Sequence, residues 1–225
     1  PERWTAFIAV IQLGTLAAVF LYFSKDIKSI ISNYFSENLG KNRKSFIEQS
    51  NHSKLGWLII IGSLPIGLFG FLLKDLIEGD FTKSPFVIAT MLILVAIILF
   101  IAEKTAKFKK GINKISIKDS IIVGFAQCLA LIPGTSRSGA TITTGLFLGI
   151  KRDDAARFSF LLSIPAIFAS GLYEFYKSIT YINSQDLFII IVATIVSAIS
   201  GYLSIAFLLK FLKTKSTLLF IVYRI

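Results

Sequence analysis

The chain has 225 residues, of which 54% are hydrophobic and only 16% charged, yet its formal net charge is +11. A typical soluble domain has about 25% charged residues, so this composition excludes an ordinary soluble globule. The apolar fraction also excludes a disordered chain. One cysteine, Cys128, and one histidine, His52, exclude a disulfide framework and a histidine-rich metal cluster within the chain. The positive charge either binds nucleic acid or orients a membrane protein.

Five uncharged apolar runs of 16 to 23 residues decide between these two classes. A helix that rises about 1.5 Å per residue needs roughly 20 residues to cross the hydrocarbon core of a bilayer. The sequence therefore predicts an all-α polytopic membrane protein, a single integral membrane domain over residues 1–225. Its predicted spans are residues 4–23, 55–73, 85–102, 158–176 and 187–209, with a partial span at 218–225. Nucleic-acid binding is excluded because the basic residues lie in short loops between spans.

The distribution of basic residues predicts the topology. Loops 24–54 and 103–119 each hold six lysines or arginines, so they are predicted to be cytoplasmic, and loops 74–84 and 177–186 external. If residues 120–150 crossed the membrane, the later basic clusters would lie outside. If they return to the cytoplasm instead, 18 of the 24 basic residues lie inside. We therefore predict a re-entrant helix–loop–helix over 120–150, which is tolerated where the loop is buried in protein or lines a wet cavity.

A faint repeat relates residues 7–22 to residues 158–173, which are predicted to cross the membrane in opposite directions. Similar helices of opposite direction are typical of inverted-topology repeats. In the full protein, each repeat would consist of one re-entrant hairpin and three spans. The two repeats together would have six spans and two hairpins. We therefore expect the natural protein to extend past Pro1 and past Ile225.

Arg137 is the only basic residue between Lys118 and Lys151 and lies inside the predicted hairpin. A charge at membrane depth costs at least about 2.5–3.5 kcal/mol, so such a residue usually marks a function. Guanidinium, hydroxyl and N–H groups at the start of a helix together predict an anion site, most naturally for phosphate. The open alternative is that Arg137 pairs with a buried acid or with helix carbonyls and only holds the hairpin.

The residues around Arg137 are small and polar, and Pro133 among them breaks the incoming helix. Glycine permits a close backbone approach, and serine and threonine supply hydroxyl donors. The substrate-binding candidates are Gly134, Thr135, Ser138 and Gly139. No metal ligand is assigned among the residues of this chain.

The segment Phe125–Ile142, FAQCLALIPGTSRSGATI, resembles the second signature of the undecaprenyl-diphosphate phosphatase family, the bacitracin-resistance type of bacterial membrane phosphatase. Residues 10–14, 158–165 and 223–224 are also similar to that family, so the resemblance extends over the chain. It implies six spans and two re-entrant hairpins in inverted repeats. It also implies hydrolysis of undecaprenyl diphosphate to undecaprenyl phosphate, the lipid carrier of cell-wall synthesis, and bacitracin resistance.

The resemblance implies a catalytic role for Arg137, which would bind the diphosphate, with Ser136 and Thr141 beside it. It places the reaction on the outward-facing side of the bacterial inner (plasma) membrane. The family's first signature, with an E-x-x-x-E pair and an S-S-[ST]-G-H stretch, is absent and should precede Pro1. We therefore expect the 225-residue chain alone to be inactive. The resemblance also implies a divalent cation, Mg²⁺ or Ca²⁺, whose ligands are not in this chain.

Two other functions remain open. A transporter or flippase for an anionic, phosphate-bearing substrate would use the same anion site, and inverted repeats are at least as typical of carriers. A structural membrane scaffold would leave the polar segment unexplained. The expected partners are a polyprenyl diphosphate lipid and the bilayer, and the sequence is compatible with a homodimer.

Overall fold

The computed structural model describes residues 2–39, 43–73, 84–178 and 187–225, and within these ranges every regular element is helical. The predicted external loops 74–84 and 177–186 lie almost entirely outside the described residues. Two single turns of 3-10 helix flank the fifth α-helix, at Ile112–Lys114 and Leu129–Leu131. The α-helices are α1 Glu2–Tyr22, α2 Ser24–Asn38, α3 Asn51–Leu72, α4 Pro85–Thr105, α5 Ile117–Cys128, α6 Arg137–Phe147, α7 Arg152–Ser178, α8 Leu187–Leu212 and α9 Leu218–Arg224.

Four of these helices are long and apolar enough to cross a membrane: α3, α4, residues 152–173 of α7 and residues 188–212 of α8. A shorter apolar stretch, Ile11–Tyr22, lies in α1. Only 22% of the most apolar window of α4 and 17% of that of α8 are buried inside the protein. The remaining apolar surface of these helices faces outward, as contact with lipid requires. The predicted all-α polytopic membrane protein is confirmed.

The helices group into two compact units, one of residues 1–29 and 163–208 and one of residues 30–162 and 209–225. In the first unit, small residues let helices approach closely, as is common in membranes. A Cβ atom on Gly14 would lie 3.0 Å from Cβ of Ser197, and the Ser197 hydroxyl donates a 3.0 Å hydrogen bond to the Ile11 carbonyl oxygen. The inverted relationship between residues 7–22 and 158–173 stays a prediction.

In the second unit, α5 runs parallel to α3 and in contact with it. The Ser120 hydroxyl donates a 2.6 Å hydrogen bond to the Leu58 carbonyl oxygen. One turn later, Gly124 meets the backbone of Gly62, where an added Cβ atom would lie 2.9 Å from the carbonyl carbon. Because residue numbers increase together along both helices, α5 rises from the same end as α3.

The chain between α4 and α7 forms a helical hairpin of α5 and α6. Its re-entrant course through the membrane stays a prediction. A capping box of Ser116 and Asp119 begins α5. Burial alone would raise the pKa of the Asp119 carboxyl, but hydrogen bonds from the Ser116 N–H and from Lys110 Nζ hold it below its ordinary value. After α6, the Lys110 N–H donates to the Gly149 carbonyl oxygen and the Lys151 N–H to the Lys110 carbonyl oxygen, both at 2.9 Å. The two ends of the hairpin therefore meet at one end of the unit.

Candidate anion-binding site

The hairpin turns at residues 132–136, between the 3-10 turn and α6. The Thr135 N–H donates a 3.1 Å hydrogen bond to the Ile132 carbonyl oxygen, which closes a four-residue turn. Pro133 takes the second position of this turn and Gly134, at φ +88°, the third. A positive φ at the third position defines a type II turn and favours glycine there. The sequence Pro-Gly thus reverses the chain within one turn.

Gly134 is the residue through which the turn contacts α4. A Cβ atom at this position would lie 2.8 Å from Cα of Ile88, in the first turn of that helix. The close approach predicted for Gly134 is therefore made to the protein backbone. Gly134 holds the turn in place by packing tightly on α4.

Ser136 caps the helix that follows the turn. Its Oγ accepts a 3.1 Å hydrogen bond from the Gly139 N–H and lies 3.3 Å from Oγ of Ser138. The N–H groups of Arg137 and Ser138, at the first two positions of α6, have no intrahelical partner. They add to the positive end of the helix dipole, so this terminus attracts an anion.

Arg137 is the first residue of α6 and is partly buried. Within the ranges that the structure describes, its guanidinium group makes no hydrogen bond or ion pair. The two buried carboxylates of the hairpin region already have basic partners, since Glu103 binds Arg152 and Asp119 binds Lys110. The alternative that Arg137 pairs with a buried acid therefore finds no support among the described residues.

Thr141 lies one turn into α6, with a side chain that is only 1% exposed. Its Oγ1 is 2.9 Å from the Arg137 carbonyl oxygen and 2.6 Å from Oγ of Ser159 in α7. Thr141 thus contacts the backbone of Arg137 through a buried hydroxyl group. This hydroxyl links the start of α6 to α7.

Thr135 and Gln127 carry polar side-chain atoms that are buried without a hydrogen-bond partner among the described residues. The atoms are Thr135 Oγ1 and both amide atoms of Gln127. Gln127 is completely buried in the last turn of α5, just before the hairpin turns. Unpartnered buried polar groups are rare and costly, so each calls for an explanation. Sequence reasoning missed Gln127, although it is an amide within an apolar stretch.

The family resemblance places the ligands of its divalent cation outside this chain, and the residues around Arg137 are not a set of metal ligands. Among the described residues, no three histidine, cysteine, aspartate or glutamate side chains come together in a metal-binding group. The hydroxyl, guanidinium and N–H groups around Arg137 are hydrogen-bond donors, which suit an anion.

The fold and the site define a polytopic membrane protein. Its helical hairpin presents a helix N-terminus and a cation that has no partner among the described residues. The chain matches the family described as bacitracin resistance protein BacA over residues 1–225 and belongs to it. It is similar to proteins named undecaprenyl-diphosphatase from three bacteria. The protein of Syntrophobacter fumaroxidans is 55% identical over the whole chain and 80% of its own length. Those of Chloroherpeton thalassium and Myxococcus xanthus are 48% and 44% identical over 98% of the chain, covering 79% and 72% of their own lengths.

Proposed function

We propose that the protein hydrolyses undecaprenyl diphosphate to undecaprenyl phosphate and inorganic phosphate. The observation that carries this proposal is Arg137, at the N-terminus of α6 in a membrane protein. Its guanidinium group has no partner within the described ranges. The name of the similar proteins, undecaprenyl-diphosphatase, supplies the substrate and the reaction. Membership of the bacitracin resistance family is consistent with a role in recycling the lipid carrier and in resistance.

In the proposed reaction, water attacks the terminal phosphorus and the bond from that phosphorus to the bridging oxygen breaks. The lipid phosphate leaves with the electron pair, so negative charge grows on its oxygen. The forked guanidinium of Arg137 and the N–H groups of the first turn of α6 are donors fixed in place before the reaction. Donors of this kind stabilise developing charge strongly where water is scarce. Acid–base groups are expected from the family's first signature.

Ser136 and Thr141 support this arrangement in different ways. Ser136 borders the N-terminus of α6 and caps it, so its hydroxyl lies where an anion would bind. Thr141 hydrogen bonds with the Arg137 carbonyl oxygen and with Ser159, so it fixes the backbone that carries the guanidinium. We therefore assign substrate contact to Ser136 and positioning to Thr141.

We also propose that the site faces the outer side of the inner membrane. The hairpin turn meets Ile88 near the beginning of α4, through Gly134. Cδ2 of Leu131 lies 3.9 Å from where a Cβ atom on Gly70 would be, near the end of α3. The segment that joins these two helix ends, residues 74–84, is the predicted external loop. These contacts support entry of the hairpin from the cytoplasmic side and a turn near the outer side.

The test is phosphate release from undecaprenyl diphosphate by the purified full-length protein. Arg137→Ala should lower kcat by about 10²–10³, the usual loss for one fixed donor. Arg137→Lys should not restore turnover, because a point charge replaces a planar fork. Lys215→Ala, which removes an exposed cation, is the matched control.

Near-native turnover by either Arg137 variant would contradict the proposal. A protein that releases no phosphate but moves the intact lipid across proteoliposome membranes would establish the transporter or flippase instead.

A further inference from the structure

A second guanidinium group lies at the N-terminus of α6. Nη1 of Arg224 is 2.7 Å from the point where a Cβ atom on Gly139 would be. Cβ and Oγ of the capping residue, Ser136, lie 3.1 and 3.2 Å from the same point. The Arg224 side chain therefore occupies the space that the missing side chain of Gly139 leaves beside the cap.

Arg224 reaches this place from α9, whose start is held by a buried carboxylate. Glu103 accepts a 2.8 Å hydrogen bond from the Thr217 hydroxyl, immediately before α9, and another from Nε of Arg152 at 2.8 Å. Helix α9 packs against α4, which carries Glu103. Seven helical residues then rise about 10 Å and bring Arg224 toward the hairpin turn.

Arg137 is the first residue of α6, and Arg224 lies beside Gly139, the third. Residues 137 and 139 are two positions apart, which is roughly 200° around a helix of 3.6 residues per turn. Like Arg137, Arg224 makes no hydrogen bond or ion pair with any residue in the described ranges. Two cations that have no partner among the described residues repel each other beside the positive end of one helix dipole, and a bound anion with several charges relieves that repulsion.

We propose that Arg224 is a second phosphate-contacting residue and that, with Arg137, it makes the site select a diphosphate over a monophosphate. The inference rests on the proposed function and adds the basis of its substrate selectivity. A diphosphate offers two phosphate groups, one for each guanidinium. After hydrolysis, neither product can bridge both arginines, which favours product release.

The first test measures binding without turnover. Methylenediphosphonate, whose P–C–P link is not hydrolysed, and inorganic phosphate are titrated calorimetrically into the purified full-length protein. Arg224→Ala should weaken diphosphonate binding by about tenfold to a hundredfold, the range for a hydrogen bond to a charged group. Phosphate binding should change less than threefold, because Arg137 remains. Lys215→Ala should change neither.

The second test moves the guanidinium without removing it. In Gly139→Ala the new Cβ atom displaces Nη1 of Arg224, so diphosphonate binding should fall toward that of Arg224→Ala. In the double variant that carries Gly139→Ala and Arg224→Ala, diphosphonate binding should be little weaker than in either single variant, because both substitutions remove the same contact. Gly67→Ala is the matched control, since no atom lies within 4 Å of a Cβ at that position.

The outcomes separate this inference from the proposed function. Native selectivity in Arg224→Ala, or strictly additive effects of the two substitutions, would overturn the role of Arg224 even if lipid hydrolysis is observed. Loss of diphosphonate selectivity in a protein that releases no phosphate from the lipid would support the two-arginine site and contradict the phosphatase.

Discussion

Oγ1 of Thr141 lies 2.6 Å from Oγ of Ser159, and this buried contact joins the first turns of α6 to α7. The same Thr141 oxygen is 2.9 Å from the Arg137 carbonyl oxygen. The backbone position of Arg137 therefore depends on α7, which contributes no residue to the proposed anion site.

Removal of either hydroxyl of this pair should lower turnover. Thr141→Val and Ser159→Ala should each reduce kcat about three- to tenfold, the equivalent of one hydrogen bond, with little change in KM. The double variant should be no worse than Thr141→Val, and Thr141→Ser should stay near native. Steady-state phosphate release measures all four. A rise in KM without a fall in kcat would show that Thr141 contacts the substrate directly.

Glu103→Gln should loosen α9 and with it Arg224. The substitution removes the charge that binds Arg152 and Thr217, which should lower the free energy of unfolding by about 1.5–3 kcal/mol. Binding of methylenediphosphonate should weaken in parallel. Thermal unfolding in detergent and calorimetry provide the two readouts. Glu48→Gln, at an exposed carboxylate, is the control, and equal stability of the two variants would count against the anchoring role of Glu103.

Gly134→Ala should damage both stability and activity. The alanine would have to adopt a φ of +88° and place Cβ 2.8 Å from Cα of Ile88. Left-handed backbone alone costs a non-glycine residue about 1–2 kcal/mol, and the contact with backbone cannot relax by rotamer change. Gly67→Ala, in an open helical position, should instead leave the protein stable. An unfolding temperature of Gly134→Ala equal to that of Gly67→Ala would rule out the tight turn.

Gln127→Leu should stabilise the protein but lower its phosphatase activity. Both amide atoms of Gln127 are buried without a partner among the described residues, so their removal should return about 1–3 kcal/mol of stability. Buried polar groups kept at such a cost are typical of functional sites, and we expect phosphate release to fall at least about tenfold. Unfolding in detergent and steady-state kinetics are measured on the same preparations. Lower stability with unchanged turnover would instead identify Gln127 as an ordinary packing residue.

The length of the apolar runs was enough to predict the helices that can cross a membrane. The predicted span 158–176 begins six residues after the start of α7 at Arg152, because residues 152–157 are mostly polar and were not counted in the apolar run. Helix α2 was missed, since its residues were assigned to a loop on their basic charge. A helix whose stability comes from packing carries a weaker signal than an uncharged run of 20 residues.

The sequence by itself determined the class of protein and the local chemistry of the site. A long apolar run is sufficient to predict a membrane helix. The sequence Pro-Gly followed by Thr-Ser-Arg predicts a turn, a helix cap and a cation within a few residues. Only the tertiary structure decided which distant residues meet there. Arg224 lies beside Gly139, which is 85 positions earlier in the chain, and Glu103 accepts a hydrogen bond from Thr217. Both contacts depend on how the helices pack. Such contacts leave no periodic trace in the sequence, because they join residues far apart in the chain.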